Sequence, residues 1–306
     1  MPQTPTAPTG IILLDKPAGL SSNAALQRVR RLFGRPKAGH TGSLDPLATG
    51  LLPICLGEAT KVAGLLLRSR KAYQAVARLG VSTDSGDSEG AVLATRPVPA
   101  LDTATIEAAL APLRGRIIQV PPVYSALKQG GVPLYTRARR GEDVVAPPRE
   151  VEVQRFELDH RDGDDLHLSI ECGTGTYVRS LVRDLGEALG CGAHLVALRR
   201  LWVEPFREPD MVTLEALQQM ADAGDEPALR ACVLPLAQAL AHLPQVALDE
   251  AEARRFQQGQ KLAKPAPAVA VCVVSGPGGA LLGLGEIDAA GTLHCRRGFH
   301  SVADDG

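Results

Sequence analysis

Signals for secretion, membrane insertion and disulfide bonding are scarce in this 306-residue sequence. Its first ten residues, MPQTPTAPTG, have neither a basic start nor an apolar core, so no secretory signal is predicted. Apolar runs such as VAGLLL at 62–67 fall far short of the ~20 residues that span a bilayer. The six cysteines show no CxxC spacing, which is typical of reduced thiols. We therefore expect a cytoplasmic protein without a membrane partner.

Motifs for common metals and nucleotide cofactors are also missing. The seven histidines lack the HxxxH or Cys/His spacing of a zinc site, so no metal is expected. The glycine-rich stretch GHTGSLDPLATG at 39–50 ends in Ala-Thr-Gly, where a phosphate-binding loop needs Gly-Lys followed by Ser or Thr. Ser43 also lacks the G-x-S-x-G frame of a nucleophilic serine. Phosphate-loop and serine-hydrolase interpretations are therefore weak.

Charge is unevenly distributed along a chain whose formal net charge is only −1. Residues 1–80 contain eleven basic and three acidic side chains, whereas residues 208–252 contain nine acidic side chains and one basic one. A positive region can attract phosphates while the whole protein stays near neutral. Two independently solvated faces would give the same totals, so charge alone leaves a nucleic-acid partner open.

Hydrophobic periodicity predicts both helices and strands. A helix is predicted over 21–34, with Ser21 or Ser22 as its N-cap, and another over 179–190. Strict alternation predicts a strand over 166–172. The polar, glycine-containing loop at 82–90 is interpreted as a simple solvated turn.

The composition changes after about residue 240, where short apolar runs are separated by Gly-rich turns. This pattern favours a small β-rich module. We therefore expect a large domain at 1–240 and a small one at 241–306.

One carboxylate, Asp45, stands in the otherwise uncharged stretch at 39–50. An Asp before Pro46 suits a helix N-cap, because proline is favoured at the first helical position. A carboxylate in a stiff turn equally suits a nucleophile or a base, and no other group in the loop has the right strength. Local rules alone therefore leave a helix cap and a catalytic group as alternatives.

Five separated blocks carry a resemblance to one family. The segment GHTGSLDPLATGLLPICLGEATK at 39–61 resembles the catalytic segment of the TruB family of tRNA pseudouridine synthases. Four further blocks are similar to motifs of that family in order and spacing: ILLDKPAGLSS at 12–22, RKAYQAVARLGVSTDSGDSEG at 70–90, PPVYSALKQGGVPLYTRARRG at 121–141 and CGTGTYVRSLVRDLGEALGCGAHLVALRRL at 172–201. The chain departs from the pattern in two places, since Ser85 replaces a Thr and Gly173-Thr174 replaces a Ser-Lys pair.

The resemblance implies an α+β protein with a mixed, largely antiparallel central sheet flanked by helices. The β-rich C-terminal module looks like a PUA-type RNA-binding domain. The implied reaction converts uridine to pseudouridine at position 55 in the T loop of tRNA, without a cofactor. A guide RNA is not expected, and we expect a monomer. A catalytically silent RNA-binding protein and a small-molecule hydrolase using Asp45 are the rival interpretations.

The resemblance also implies roles for individual residues. Asp45 matches the essential aspartate, and Arg179 matches the arginine that pairs with it, although an exposed residue in the first helical turn is the alternative for Arg179. Tyr73 matches the tyrosine that packs on the target base. His40 matches a histidine that wedges against the RNA, with a satisfied loop histidine as its alternative.

The remaining candidates surround the same expected pocket or contact RNA phosphates. Tyr177 and Leu198 are expected to pack around the pocket. Basic side chains expected to contact phosphates, and so to make binding salt-sensitive, are Lys16, Lys61, Arg137, Arg139 and Arg140.

Overall fold

The structure, a computed structural model, describes residues 8–67, 69–125, 127–138, 140–142, 144–264 and 266–300. The helices are α1 (Ser22–Leu32), α2 (Ala63–Leu67), α3 (Thr103–Leu110), α4 (Leu134–Ala138), α5 (Val178–Ala188), α6 (Leu214–Asp222), α7 (Glu226–Ala231), α8 (Leu236–Ala239) and α9 (Glu250–Gln257). The strands are β1 (Gly10–Lys16), β2 (Ala38–His40), β3 (Thr49–Leu56), β4 (Lys71–Leu79), β5 (Val81–Thr83), β6 (Val92–Thr95), β7 (Gly115–Gln119), β8 (Lys128–Gln129), β9 (Val132–Pro133), β10 (Arg149–Asp162), β11 (Asp165–Cys172), β12 (Ala193–Val203), β13 (Val212–Thr213), β14 (Gln245–Ala247), β15 (Leu262–Ala263), β16 (Val269–Ser275), β17 (Leu281–Ile287) and β18 (Thr292–Gly298).

A nine-stranded mixed sheet forms the centre of the larger part. Its strand order is β13-β1-β3-β12-β4-β11-β10-β7, and β2 pairs with β3 beside that path. The β1–β13 and β3–β12 pairs are parallel, and the other pairs are antiparallel. The expectation of a mixed, largely antiparallel sheet is confirmed.

Alternating side chains explain why helices cover this sheet. On β11 the apolar residues Leu166, Leu168 and Ile170 are buried, while their neighbours in the strand are partly exposed. They share one apolar core with residues of α1, α3 and α5. Packing one face of the strands against amphipathic helices removes apolar surface from water. Each Å² of apolar surface buried in this way stabilises the fold by about 25 cal/mol.

Two of the predicted helices begin and end close to the expected positions. Ser21 is the N-cap of α1, because its Oγ accepts a hydrogen bond from the Ala24 N–H at 3.1 Å. Helix α5 covers most of the predicted 179–190 segment, and Gly190 follows it with a positive φ of 80°. Glycine adopts that backbone conformation without strain, which suits the end of a helix.

The C-terminal part contains a second sheet, with the order β14-β16-β17-β18-β15. Phe256 of α9 packs with Cys272 and Leu293 in the core of this sheet. A separate apolar cluster joins Ile11 of the first sheet to Leu284 of the second. The β-rich character of this part agrees with its composition, and the domain division at 240 stays a prediction. Within the described ranges, no helix is long and apolar enough to cross a membrane.

Candidate active site

Asp45 lies in a tight turn between β2 and β3. The Ala48 N–H donates to the Asp45 carbonyl at 3.0 Å, with Pro46 and Leu47 at the centre of the turn. No helix begins here in the described residues, so the helix-cap alternative is wrong. The Asp45 side chain is 36% exposed and remains available for contact with a ligand.

The end of β1, the start of α1 and the segment between them hold this turn on both sides of Asp45. Ser22 Oγ accepts a hydrogen bond from the Leu44 N–H at 2.7 Å and donates to the Leu44 carbonyl at 3.0 Å. The Gly19 N–H donates to the Pro46 carbonyl at 2.8 Å, and Lys16 Nζ reaches the same oxygen at 3.4 Å. Because both neighbours of Asp45 are fixed, the direction of its side chain is restricted.

Arg179, in the first turn of α5, pairs with Asp45. Its Nε lies 2.9 Å from Asp45 Oδ2, and its Nη2 donates to Oδ1 at 3.1 Å. The same guanidinium donates to the backbone carbonyls of Ser85 at 2.8 Å and Tyr124 at 2.9 Å. Arg179 is only 4% exposed, so the alternative of an exposed helix residue is wrong. Arg179 thus connects three separate segments of the chain, those that contain Asp45, Ser85 and Tyr124.

Asp87 is a buried member of this site that sequence reasoning missed. Its carboxylate lies 3.4 Å from Arg179 Nη1, accepts a hydrogen bond from Ser85 Oγ at 2.6 Å, and is 3% exposed as a residue. The interpretation of 82–90 as a simple solvated turn is therefore wrong for Asp87. The available signal was its position inside a block that resembles the family, where Ser85 in place of Thr still supplies the hydroxyl.

The electrostatics of Asp45 reflect its position between a cation and an anion. Burial raises the pKa of the Asp45 carboxyl above its ordinary value, and the negative charge of Asp87 acts in the same direction. The Arg179 guanidinium opposes both effects by ion pairing and hydrogen bonding. The result is a carboxylate that is held in place and is more basic than an exposed one.

One cleft of about 390 Å³ brings the expected pocket residues together. Asp45 and Arg179 line it with Tyr73, Tyr177 and Leu198. Tyr73 and Leu198 come from the adjacent strands β4 and β12, and they are 8% and 7% exposed. Tyr177 precedes α5 and has a guanidinium, that of Arg149, 4.9 Å from its ring centroid. The cleft thus combines a carboxylate with apolar and aromatic walls.

Two buried cations of the same cleft, Lys71 and Arg200, were also missed. Lys71 stands in the block at 70–90 and Arg200 in the block at 172–201, so the signal that was available for Asp87 was also available for them. His40 lies on β2 nearby, where burial and the charge of Arg200 lower its pKa. Its Nδ1 has no hydrogen-bond partner among the described residues, which disagrees with a satisfied loop histidine. Its contact with RNA stays a prediction.

Two expected phosphate contacts are placed differently from their predicted roles. Lys16 is fully buried, and its ammonium donates to backbone carbonyls, so it does not face a phosphate. Lys61 Nζ lies 2.6 Å from Glu58 Oε2 and donates to the Gly298 carbonyl at 2.8 Å, which links it to β18. Both expectations overlooked contacts within the protein itself. Some of these contacts are local, to Pro17, Leu20 and Glu58, and others come from distant positions, Pro46 and Gly298.

Two of the other basic candidates lie in or near α4. Arg137 pairs with Glu142 at 2.6 Å, and Arg140 is exposed. Arg139 lies outside the described residues. The phosphate contacts of these three stay predictions. Among the described residues, no group of three or more His, Cys, Asp or Glu side chains could hold a metal ion.

The second departure from the family pattern lies at the rim of the cleft. The Gly173 N–H donates to the Glu152 carbonyl at 2.8 Å, and Thr174 Oγ1 donates to the Leu67 carbonyl at 3.3 Å. Gly173 and Thr174 line the cleft without contributing a charge. The loss of a lysine here therefore leaves the Asp45–Arg179 pair intact.

Comparisons with solved structures agree with the fold. A chain in the crystal structure of a Cbf5-Nop10-Gar1 complex superposes with a TM-score of 0.71 at 26% identity, covering 92% of this chain and 79% of that one. A chain in the crystal structure of an archaeal box H/ACA sRNP Nop10-Cbf5 complex gives 0.72 at 24% identity, covering 96% and 87%. At that identity, the second likeness shows the fold alone.

Sequence comparisons cover nearly the whole chain. Residues 30–178 match the N-terminal domain of TruB family pseudouridylate synthases, 179–241 the tRNA pseudouridylate synthase B C-terminal domain, and 244–299 the C-terminal domain of pseudouridine synthase II TruB. Proteins named tRNA pseudouridine synthase B are 56% identical in Xanthomonas axonopodis pv. citri and 50% identical in Aromatoleum aromaticum, each covering 96% of this chain and 94% of the relative. The chain belongs to the TruB family of pseudouridine synthases.

Proposed function

We propose that this protein isomerises uridine to pseudouridine at position 55 in the T loop of tRNA. The observation that carries the proposal is the Asp45–Arg179 ion pair in a cleft that also contains Tyr73. The chain is a pseudouridine synthase by family, and relatives named tRNA pseudouridine synthase B support tRNA as its substrate. The ion pair supports Asp45 as the residue that starts the chemistry.

The reaction rearranges bonds without gaining or losing atoms. The N1–C1′ bond of uridine breaks, the uracil rotates, C5 bonds to C1′, and the C5 proton is replaced by a proton at N1. An ionised Asp45 can begin this sequence by attacking the sugar or base covalently, or by removing the C2′ proton to give a glycal. Both courses need a carboxylate that is held in one orientation toward the nucleoside. The hydrogen bond from Arg179 restricts the orientation of the Asp45 carboxylate in this way.

Tyr73 supplies a surface on which the uracil can stack and turn. The ring of Tyr73 lies in the wall of the cleft close to Leu198, and Tyr73 as a whole is largely buried. Stacking of an aromatic ring on an extruded base contributes on the order of 1–3 kcal/mol and tolerates rotation of the base. This contribution offsets part of the cost of moving the target nucleotide out of its stack.

The proposed substrate is the T stem-loop of a free tRNA, bound without a guide RNA by a monomer in the cytoplasm. Arg140 is exposed for contact with the RNA backbone, and Arg137 and Arg139 lie close to it in sequence. The second sheet, within the proposed 241–306 domain, is assigned to RNA binding. Each phosphate contact would steepen the salt dependence of binding by about 0.7–0.9 in the slope of log K against log salt.

The test is pseudouridine mapping in an unmodified tRNA transcript treated with the wild type and with Asp45→Asn. We expect one pseudouridine at position 55 with the wild type, and no detectable product with Asp45→Asn at a tRNA affinity close to wild type. Asp162→Asn, a change at an exposed carboxylate of β10, is the matched control and should leave turnover unchanged. Appreciable turnover by Asp45→Asn would contradict the catalytic role of Asp45. Pseudouridine at a different uridine would contradict the assignment to position 55.

A further inference from the structure

Two buried cations share the catalytic cleft with Asp45. Lys71, the first residue of β4, is 7% exposed, and Arg200 of β12 is 1% exposed. Both residues line the cleft. The Asp45 side chain, which also lines it, is more accessible, with 36% of its surface exposed. A buried charge costs several kcal/mol unless other groups compensate it, so two such cations in a small cleft need a physical reason.

Backbone oxygens compensate these cations only in part. Lys71 Nζ donates to the carbonyls of Leu67 at 3.2 Å and Ser69 at 2.6 Å. Arg200 donates from Nε to Leu51 at 2.7 Å and from Nη2 to Gly42 at 3.1 Å. These acceptors are neutral, so the positive charge of the pair remains inside the cleft. Burial and the neighbouring Arg200 charge lower the pKa of Lys71 to about 8, which leaves it mostly protonated at neutral pH.

The strand register places both cations beside Tyr73. Lys71 and Tyr73 are two residues apart on β4, so their side chains point to the same face of the sheet. Arg200 is the cross-strand partner of Tyr73 in the β4–β12 ladder, and its guanidinium contacts the Tyr73 side chain. A base stacked on Tyr73 would therefore have Lys71 and Arg200 at its edge.

Gly42 leaves the space in front of these cations open. Its φ of 97° lies in the region that favours glycine. A Cβ at this position would lie 3.6 Å from Arg200 Nη1 and 3.7 Å from Lys71 Cε. The backbone conformation thus favours glycine here, whereas a Cβ would make only ordinary van der Waals contacts with the two cations. Without a side chain at residue 42, a small polar group of a ligand can approach them.

We propose that Lys71 and Arg200 form a donor-only niche for the carbonyl oxygens of the target uracil. Lysine and arginine carry hydrogen-bond donors and no acceptor. Uracil presents oxygens at C2 and C4, whereas cytosine presents an amino group at C4, which two cations repel. The niche therefore selects uracil over cytosine. This inference rests on the proposed function, since it concerns the base that reacts in the Asp45 cleft.

The niche also stabilises charge that forms during the reaction. When the N1–C1′ bond breaks, its electron pair stays with the base, and the negative charge spreads from N1 to O2 and O4. Fixed cations at those oxygens interact more strongly with the anion than with neutral uracil, which lowers the barrier. The cations remain available until C5 bonds to C1′, loses its proton, and N1 is protonated.

The experiment uses two T stem-loop RNAs that differ only in uridine or cytidine at the target position. Lys71→Met is compared with the wild type by single-turnover pseudouridine formation and by competition binding of the two RNAs. We expect the rate to fall roughly 100-fold and the uridine preference in binding to fall about fivefold or more. Arg200→Lys, which keeps a donor-only cation, should retain more of the preference than Arg200→Met. Lys37→Met, an exposed lysine outside the cleft, should keep the wild-type preference.

Two results with Lys71→Met would overturn the niche. Equal loss of affinity for both RNAs with a shallower salt dependence would mean that Lys71 contacts a phosphate instead of the base. Unchanged rate and preference in the folded variant would mean that the ammonium does not act on the uracil at all. Failure of the wild type to make pseudouridine would instead refute the proposed function, while the binding preference would still decide the niche.

Discussion

The charged groups of Asp45 and Arg179 approach to 2.9 Å, although the two residues are 134 positions apart in sequence. Arg179 also lies 3.4 Å from the carboxylate of Asp87. One buried guanidinium therefore serves two acids with different surroundings. Asp45 is accessible from the cleft, whereas the Asp87 side chain is only 5% exposed.

We predict that Arg179→Leu abolishes turnover and destabilises the fold. The change leaves the buried Asp87 carboxylate without its cation, and breaking a buried pair in this way costs ~3–5 kcal/mol. The free energy of unfolding, measured by urea titration, should fall by that amount, and single-turnover assays should detect no product. A folded variant with unchanged turnover would show that Arg179 is dispensable.

A double variant checks the physical reason for that loss. Arg179→Leu combined with Asp87→Asn contains no unpaired buried carboxylate at this position. Its stability should therefore exceed that of Arg179→Leu alone, which makes the two changes strongly non-additive. Additive losses in the urea titrations would contradict the coupling between Asp87 and Arg179.

We predict that Asp87→Asn moves the acidic limb of the pH–rate profile to lower pH. The working form of Asp45 is ionised, so the rate falls as the pH drops through its pKa. The charge of Asp87 raises the pKa of Asp45, and removing that charge lowers it. Single-turnover rates across the acidic and neutral range should show this shift, along with a lower plateau because Arg179 loses one of its partners.

Asp84→Asn is the matched control for this pH dependence. Asp84 is exposed and lies three residues before Asp87 in the same loop. Its replacement should leave the acidic limb unmoved. A shift of the Asp87→Asn limb to higher pH would contradict the assigned direction.

Local regularities made much of the fold predictable. The alternation in β11 and the leucines of α5 each expose one apolar face to a core, so their periodicity reflects the tertiary structure directly. Asp45 could be singled out because a carboxylate is rare in so stiff and uncharged a turn. The resemblance to the family was needed to choose a catalytic role for Asp45 over a helix cap, since the local rules permit both.

The contacts around the site could not be predicted in the same way. Asp87 stands in a polar loop that looks solvated, and its burial depends on Arg179, which folds onto it from a distant helix. Lys16 is the last residue of a buried strand, and its ammonium has one of its acceptors at Pro46, 30 positions away. Neither partner leaves a pattern in the neighbouring sequence.

We predict different functional effects for substitutions of two adjacent serines. Ser22→Ala removes both hydrogen bonds to Leu44, the residue before Asp45. The buried N–H and carbonyl of Leu44 then have no partner, which lowers the free energy of unfolding by about 1–3 kcal/mol. Leu44 is also no longer held in place. The turnover of this variant should fall. Ser21→Ala removes the cap of α1, which costs about 1 kcal/mol, and leaves the turn intact.

Urea unfolding and single-turnover rates of the two variants together test this assignment. Comparable losses of stability with a rate defect only in Ser22→Ala are expected. A rate defect of equal size in Ser21→Ala would mean that α1, rather than the bonds to Leu44, positions the turn.

We predict that Lys16 makes stability rise with pH in an alkaline window. Burial lowers the pKa of Lys16 to about 8 in the folded protein, against about 10.4 in an unfolded chain. Between these values the unfolded state binds more protons, so raising the pH favours folding, by up to about 1.4 kcal/mol per pH unit. Below pH 8 the lysine is protonated in both states, and its contribution becomes independent of pH.

Lys16→Met keeps the apolar stem but cannot titrate. The difference in unfolding free energy between the wild type and this variant, from urea titrations at a series of pH values, isolates Lys16 from other groups that ionise in the same window. That difference should change in favour of the wild type above pH 8. A difference that stays constant with pH would mean that the ammonium beneath the Asp45 turn is solvated, and that the bonds from Ser22 and Gly19 hold the turn without it.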